Sequence, residues 1–129
     1  MIRVYVDADI LIWHLRGDPR AHALIERLWN DASVELWLMA VQRAEVLLHL
    51  FPRELGSAAS LMSYFQTEPL SAEIVDRAAQ SARRWKGSHG TSANDALLAA
   101  TVELTGGKIV TQNVRHFPMP GIIVERGWP

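Results

Sequence analysis

Apolar and polar positions alternate from the second residue onward. Ile2, Val4 and Val6 fall on one face, and Arg3, Tyr5 and Asp7 on the other. This period of two predicts a strand over residues 3–6. The apolar run then stops at a carboxylate, Asp7, and a second, Asp9, follows two positions later. Asp9 is expected to cap a short helix over 10–16, which Gly17 ends. Asp18-Pro19 restarts a helix, with Ala21, Leu24, Ile25, Leu28 and Trp29 at helical spacing.

The alternation of element types continues along the chain. VELWLM (34–39) predicts a second strand, and 41–50 a helix. Pro52 interrupts, and a helix is expected over 54–65. A short strand over 68–70 would keep the alternation going. Ser71 caps a helix over 72–85, with Gly87 as its stop and GSHGT (87–91) as a loop. A strongly apolar helix over 92–105 closes at Gly106-Gly107. Strand 108–111, a loop or single helical turn over 113–117, and a last strand over 122–124 complete the chain. Strands separated by helices imply a parallel sheet covered on both faces. The expected fold is a three-layer α/β/α sandwich with a mostly parallel sheet of four to five strands, in one domain spanning 1–129.

Composition narrows the setting. Hydrophobic residues make up 49% of 129 residues, enough for a core, yet no apolar run reaches membrane-spanning length. The N-terminus lacks the basic head, apolar stretch and cleavage site of a signal peptide. Cysteine is absent, which removes disulfides and thiolate metal sites and fits a reducing, cytoplasmic setting. The net charge of −1 and pI of about 6.5 exclude nucleic-acid binding by bulk charge. A nucleic-acid partner would need a local basic patch, or cations offsetting acidic residues.

Three acids stand where an acid is costly. Asp7 ends a strand whose carboxyl end, in an open parallel sheet, opens onto the ligand crevice. Glu45 lies at the edge of the apolar arc of its helix, and its plainer explanation is an i,i+4 pair with His49. Asp95 sits in a helix that is apolar nearly all round, and its plainer explanation is a capping box with Ser92. Ionised carboxylates converging on one crevice repel one another, so they take up protons or share a cation. Oxygen donors without cysteine favour Mg²⁺ or Mn²⁺. Such ions polarise phosphoryl oxygens and acidify water, which points to phosphate chemistry. Thr111 and Asn113 should reach the same sheet edge and can hydrogen-bond a carboxylate or a water.

VDADILIWHLRGDP, AVQRAEVLLHL and SANDALLAATVELTGGKIVTQNVRHFP together resemble the PIN-domain family, and more narrowly its VapC-type ribonuclease toxins. The similarity covers about residues 3 to 124. It implies a parallel sheet between helical layers and Mg²⁺- or Mn²⁺-dependent cleavage of RNA to 5′-phosphate and 3′-hydroxyl ends. It also implies a VapB-type antitoxin partner and a homodimer. By position, Asp7, Glu45 and Asp95 match the family's acidic metal ligands, Asn113 a fourth site that is often Asp, and Thr111 a polar neighbour. Two departures stand out. Asp9 replaces a small hydroxyl residue, and Asn113 is a weaker cation ligand than Asp, so a tightly held second metal is not implied.

Two other functions compete with this one. Asp7-x-Asp9 could be the DxD of a phosphoaspartyl phosphatase, which needs a lysine at the phosphate, and only Lys86 and Lys108 exist. A non-catalytic PIN-like module binding RNA or protein is the alternative from another class. Arg83, Arg84, Trp85, Lys86 and His89 form a candidate RNA patch, with charge for phosphates and an indole for stacking. Their plainer explanation is a helix C-terminus rich in the cations its dipole favours. Arg115 and His116 follow Asn113 closely enough to touch a phosphate, with His116 a candidate general acid.

Overall fold

The computed structural model describes residues 1–129. Five strands form one sheet: β1 (Ile2–Val6), β2 (Val34–Met39), β3 (Gln66–Glu68), β4 (Lys108–Val110) and β5 (Ile123–Glu125). Their order is β3-β2-β1-β4-β5, and every neighbouring pair is parallel. The first strand of the chain is therefore the middle of the sheet. The chain builds outward from β1 to one side and then to the other, so the strand order reverses between β1 and β4. In open parallel sheets that reversal creates the crevice where ligands bind.

The faces follow the alternation in β1. Val4 and Val6 pack with Leu36 and Leu38 of β2 against α1 (Ala8–Leu15), α2 (Pro19–Trp29) and α4 (Leu55–Met62). Tyr5 points the other way and packs with Met39, Ile109 and α6 (Ala93–Thr105) through Leu98, Ala99 and Val102. Helix α5 (Ala72–His89) lies against α6, with Ile74 and Ala78 meeting Ala96 and Ala100. The three-layer, parallel architecture expected from the pattern is the one found.

Helix α3 (Ala40–Leu48) leaves β2 without a connecting loop. Its Val46 enters the first apolar cluster while Ala40 and Val41 touch the second. A helix that contacts both layers must lie across the end of the sheet, and here that is the carboxyl end. This placement brings Glu45 toward Asp7.

Several expectations need correction. The loop assigned to residues 87–91 is mostly helix, because α5 continues through Gly87 to His89. Gly90, in the left-handed region at φ +66°, ends it. A glycine inside a helix costs only about 1 kcal/mol, and Gly87 lies in the last turn of α5, whose packing on α6 offsets that cost. The third strand lies over Gln66–Glu68 instead of 68–70, paired with Trp37, Leu38 and Met39. Helix α3 stops at Leu48, and a 3₁₀ turn at Pro52–Glu54 precedes α4. Asp9 is not a cap. Helix α1 starts one residue earlier than the expected cap position, so Asp7 occupies the N-cap and Asp9 the first turn. Gly107 lets β4 approach β1: its φ is +96°, and a Cβ there would collide with the Arg3 carbonyl.

Candidate active site

Asp7 follows β1 directly, and Thr111 follows β4. The Asp7 amide donates to the Val110 carbonyl at 3.0 Å, which continues the sheet by one bond past the last strand pair. Asp7 holds the N-cap position of α1 but makes no side-chain cap bond. Its carboxylate instead accepts a 2.7 Å hydrogen bond from the Thr111 hydroxyl. Thr111 is fully buried, and its Oγ1 in turn accepts from the Asn113 amide at 3.0 Å. The Asn113 side chain donates from Nδ2 to Asp9 Oδ2 at 3.3 Å. One short segment after β4 thus fixes both acids of the first loop.

Asp7, Asp9, Glu45 and Asp95 line one cavity of about 240 Å³. Gln42, Ser92, Asn94, Asn113 and His116 complete it with the Gly90 backbone, and no hydrophobic side chain contributes. Three segments far apart in sequence, the β1–α1 junction, α3 and the start of α6, therefore deliver four carboxylates to the carboxyl edge of β1.

The electrostatics show the strain of that arrangement. Burial pushes the Asp7 carboxyl up to about 6, the Thr111 hydrogen bond opposes this, and repulsion from Asp9 and Asp95 adds to it. Glu45 is raised by burial first, then by Asp7 and Asp9, with the Asn94 side chain opposing. The pairing of Glu45 with His49 does not form. His49 Nδ1 donates to the Glu45 backbone carbonyl at 2.6 Å, which leaves the carboxylate for the cavity.

Asp95 does close a capping box. Ser92 N donates to Asp95 Oδ2 at 2.9 Å, and Asp95 N to Ser92 Oγ at 3.1 Å. His116 Nδ1 also stands 3.4 Å from Oδ2, a pair that is ionic only when the imidazole is protonated. Both contacts fall on Oδ2 and leave Oδ1 outside them. Asp95 is thus a helix-start residue and a cavity residue at once.

The basic candidates divide. His116 lines the cavity. Arg115 is exposed and reaches the Ser88 carbonyl at 3.4 Å. Arg84 and Lys86 do not line it. The Arg84 guanidinium lies 4.4 Å over the Trp85 ring, beside a separate cavity of about 300 Å³ that also contains Arg77 and Glu103. Neither lysine of the phosphatase alternative lines the acidic cavity, and Lys108 is paired with Glu125 at 3.0 Å. Gln42 and Asn94 were missed as site residues. The only signal for Gln42 was a polar residue beside the apolar arc of its helix.

The donors fit a hard divalent cation: oxygen atoms only, several acids, and raised carboxyls that a cation would relieve. No three acidic or histidine side chains close into a ready-made ligand cage.

A PIN-domain profile matches residues 4–119. This chain belongs to the PIN-domain family. It is 33% identical over 115 residues to Ribonuclease VapC19 of Mycobacterium tuberculosis, covering 88% of this chain and 91% of that one. It is 32% identical over 117 residues to Ribonuclease VapC10 of the same organism, covering 90% and 86%. Among solved structures, a toxin–antitoxin complex from Klebsiella pneumoniae shares the fold of this PIN domain at a TM-score of 0.78. That match has 20% identity and covers 97% of this chain and 98% of that one. No helix of the PIN domain is long and apolar enough to cross a membrane.

Proposed function

We propose that this PIN domain is a metal-dependent endoribonuclease, the toxin of a type II toxin–antitoxin pair. The observation that carries the proposal is the all-polar cavity at the β1–β4 switch point, into which Asp7, Asp9, Glu45 and Asp95 converge. Identity of about one third to two ribonucleases over nearly the full chain supports the same reading.

Asp7 and Asp95 would hold a Mg²⁺ or Mn²⁺ ion, with Glu45 as a third ligand or as the acceptor that orients a water. Such an ion, when bound, polarises the phosphoryl group and makes water acidic enough to attack near neutral pH. The protein supplies the rest. Thr111 fixes one Asp7 oxygen, and Asn113 fixes Asp9. His116, beside Asp95, can deliver a proton to the leaving oxygen when its imidazole is charged. The cavity walls hold the phosphodiester at the sheet edge. The products are 5′-phosphate and 3′-hydroxyl ends.

A VapB-type antitoxin, a homodimeric state, a single-domain organisation and a cytoplasmic location belong to the same proposal. The test is direct. The purified chain is incubated with labelled structured RNAs in Mg²⁺ or Mn²⁺, alongside an EDTA control and Asp7→Asn. Cleavage by the wild type that both controls abolish is expected. RNA left intact by the wild type across the panel would instead favour the non-catalytic binding module.

A further inference from the structure

Residues 111–113 hold two of the acids from one side and are themselves held from the other. Thr111 bonds to Asp7 and Asn113 to Asp9. Gln112, between them, does not line the acidic cavity. Strand alternation carried just past β4 gives this split, because side chains two apart share a face and the one between takes the other. Gln112 Oε1 accepts from the Gly127 amide at 2.8 Å and from the Trp128 amide at 3.2 Å. Its Nε2 donates to the Trp128 carbonyl at 3.1 Å. The backbone joins in. The Thr111 amide donates to the Glu125 carbonyl at 3.0 Å, and Arg126 Nη1 to the Gln112 carbonyl at 3.4 Å. Both ends of the Gln112 amide are thus spent on the segment that follows β5.

That segment is anchored in its turn. Trp128 packs against the first apolar cluster, its rings 5.9 Å from those of Trp13 on α1, with the Arg20 guanidinium of α2 5.3 Å from its ring. Gly127 is buried. A Cβ there would come within 2.7 Å of Leu24 Cδ2 and 3.2 Å of Gln112 Oε1, so glycine gives the closest approach. Packing alone would ask only for an apolar side chain of the same length at 112. Three hydrogen bonds to one dipeptide do more, because they fix the direction of the chain. Any rotation of that chain moves Thr111 and Asn113 together. A group that orients the partners of an acid acts on a site without touching it.

We infer that Gln112 is a positioning residue of the acidic site, a latch through which Gly127 and Trp128 set the backbone at 111–113 and hence the hydrogen bonds that Thr111 and Asn113 give to Asp7 and Asp9. Its effect on cleavage rests on the ribonuclease reading, whereas the latch itself is a property of the free chain.

The test uses the full chain with three variants. Gln112→Met keeps the length and loses all three side-chain bonds, Gln112→Glu keeps the two from the backbone amides, and Trp128→Ala removes the anchor. Hydrogen exchange of the Asn113 amide, without metal, reports its bond to Thr111 Oγ1. Calorimetry gives the affinity for Mn²⁺, and cleavage of RNA gives kcat and KM. In Gln112→Met and Trp128→Ala the Asn113 amide should exchange faster. Mn²⁺ affinity should fall by about 10-fold, the low end for a group that orients a metal ligand. At fixed Mn²⁺, kcat should fall while KM for the RNA stays. Gln112→Glu should recover most of all three. Unchanged Asn113 exchange and Mn²⁺ affinity in Gln112→Met would overturn the inference, even with a lowered melting temperature, and leave Gln112 a stabiliser of the segment after β5. So would equal losses in Gln112→Glu and Gln112→Met, since Glu retains the amide bonds. A wild type that binds Mn²⁺ and cuts no RNA removes the nuclease reading, and exchange and affinity then decide the latch alone.

Discussion

The Thr111 hydroxyl donates to Asp7 Oδ2 at 2.7 Å across 104 positions of sequence. This bond joins the ends of the two strands that flank the switch point, and it opposes the upward pull of burial on Asp7. Thr111→Val should remove it without changing the shape of the core. A residue that orients a metal ligand typically accounts for about 10–100-fold in affinity or activity. Titration with Mn²⁺ should show a loss of that size, and Thr111→Ser should recover most of it. The acid limb of the pH–rate profile should also move upward in Thr111→Val, because Asp7 then holds its proton to a higher pH.

Asp7 makes stability depend on pH in a defined direction. Unfolded, its carboxyl titrates near the ordinary 3.8; folded and ion-free, it is pushed up to about 6. The folded state therefore binds the proton more tightly. The stabilisation this gives is complete below the unfolded value and is lost as pH rises to about 6. Above that, the native chain carries an ionised buried acid, and the difference corresponds to at most about 3 kcal/mol. In EDTA, Asp7→Asn should thus melt higher than the wild type at about pH 7.5, and the gap should close at about pH 4. Thermal melts at the two pH values check it. Equal melting temperatures at neutral pH would mean that the buried acid is not under strain.

The dual role of Asp95 can be separated by a single methylene. Asp95→Glu should keep the capping box, since Glu is the usual partner there. Stability should stay within about 0.5 kcal/mol, as for most changes that preserve local contacts. The carboxylate is displaced, however, and a misplacement of about 1 Å can cost on the order of 100-fold in rate. Denaturant unfolding together with RNA cleavage measures both. Intact cleavage in Asp95→Glu would reduce Asp95 to a helix start.

Arg84 and Lys86 stand outside the acidic cavity, so they can affect RNA only through its backbone. Arg84→Ala combined with Lys86→Ala should weaken RNA binding and lower the salt dependence by roughly one unit of slope per charge in contact. The cleavage rate at saturating RNA should not change. An unchanged salt slope would assign both cations to the helix end alone.

The sheet edge was legible in the sequence because β1 writes its register in alternating side chains. Val6 must be buried, so Asp7 must emerge at the end of the strand. The convergence of Glu45 was not legible from periodicity, which places it on an arc but says nothing of where α3 lies. That depends on Ala40 following Met39 without a loop, which swings α3 across the end of the sheet. Asp9 is not a cap because the helix begins at Ala8, two residues after Val6, too early for Asp9 to stand outside it. The glycine at 87 misled because α5 draws its stability from packing on α6, not from local propensity. Gln42 escaped notice because a buried amide at a cavity wall is visible only once its surroundings are built.

The strand order also governs when in synthesis the catalytic edge can exist. β1 is made well before one of its neighbours, β4, which follows only after α1 to α6. A nascent chain still lacking residues 108–113 has Asp7 and Asp9 with none of the side chains that hold them in place. An acidic edge laid out this way stays unassembled until the segment that follows β4 has joined β1.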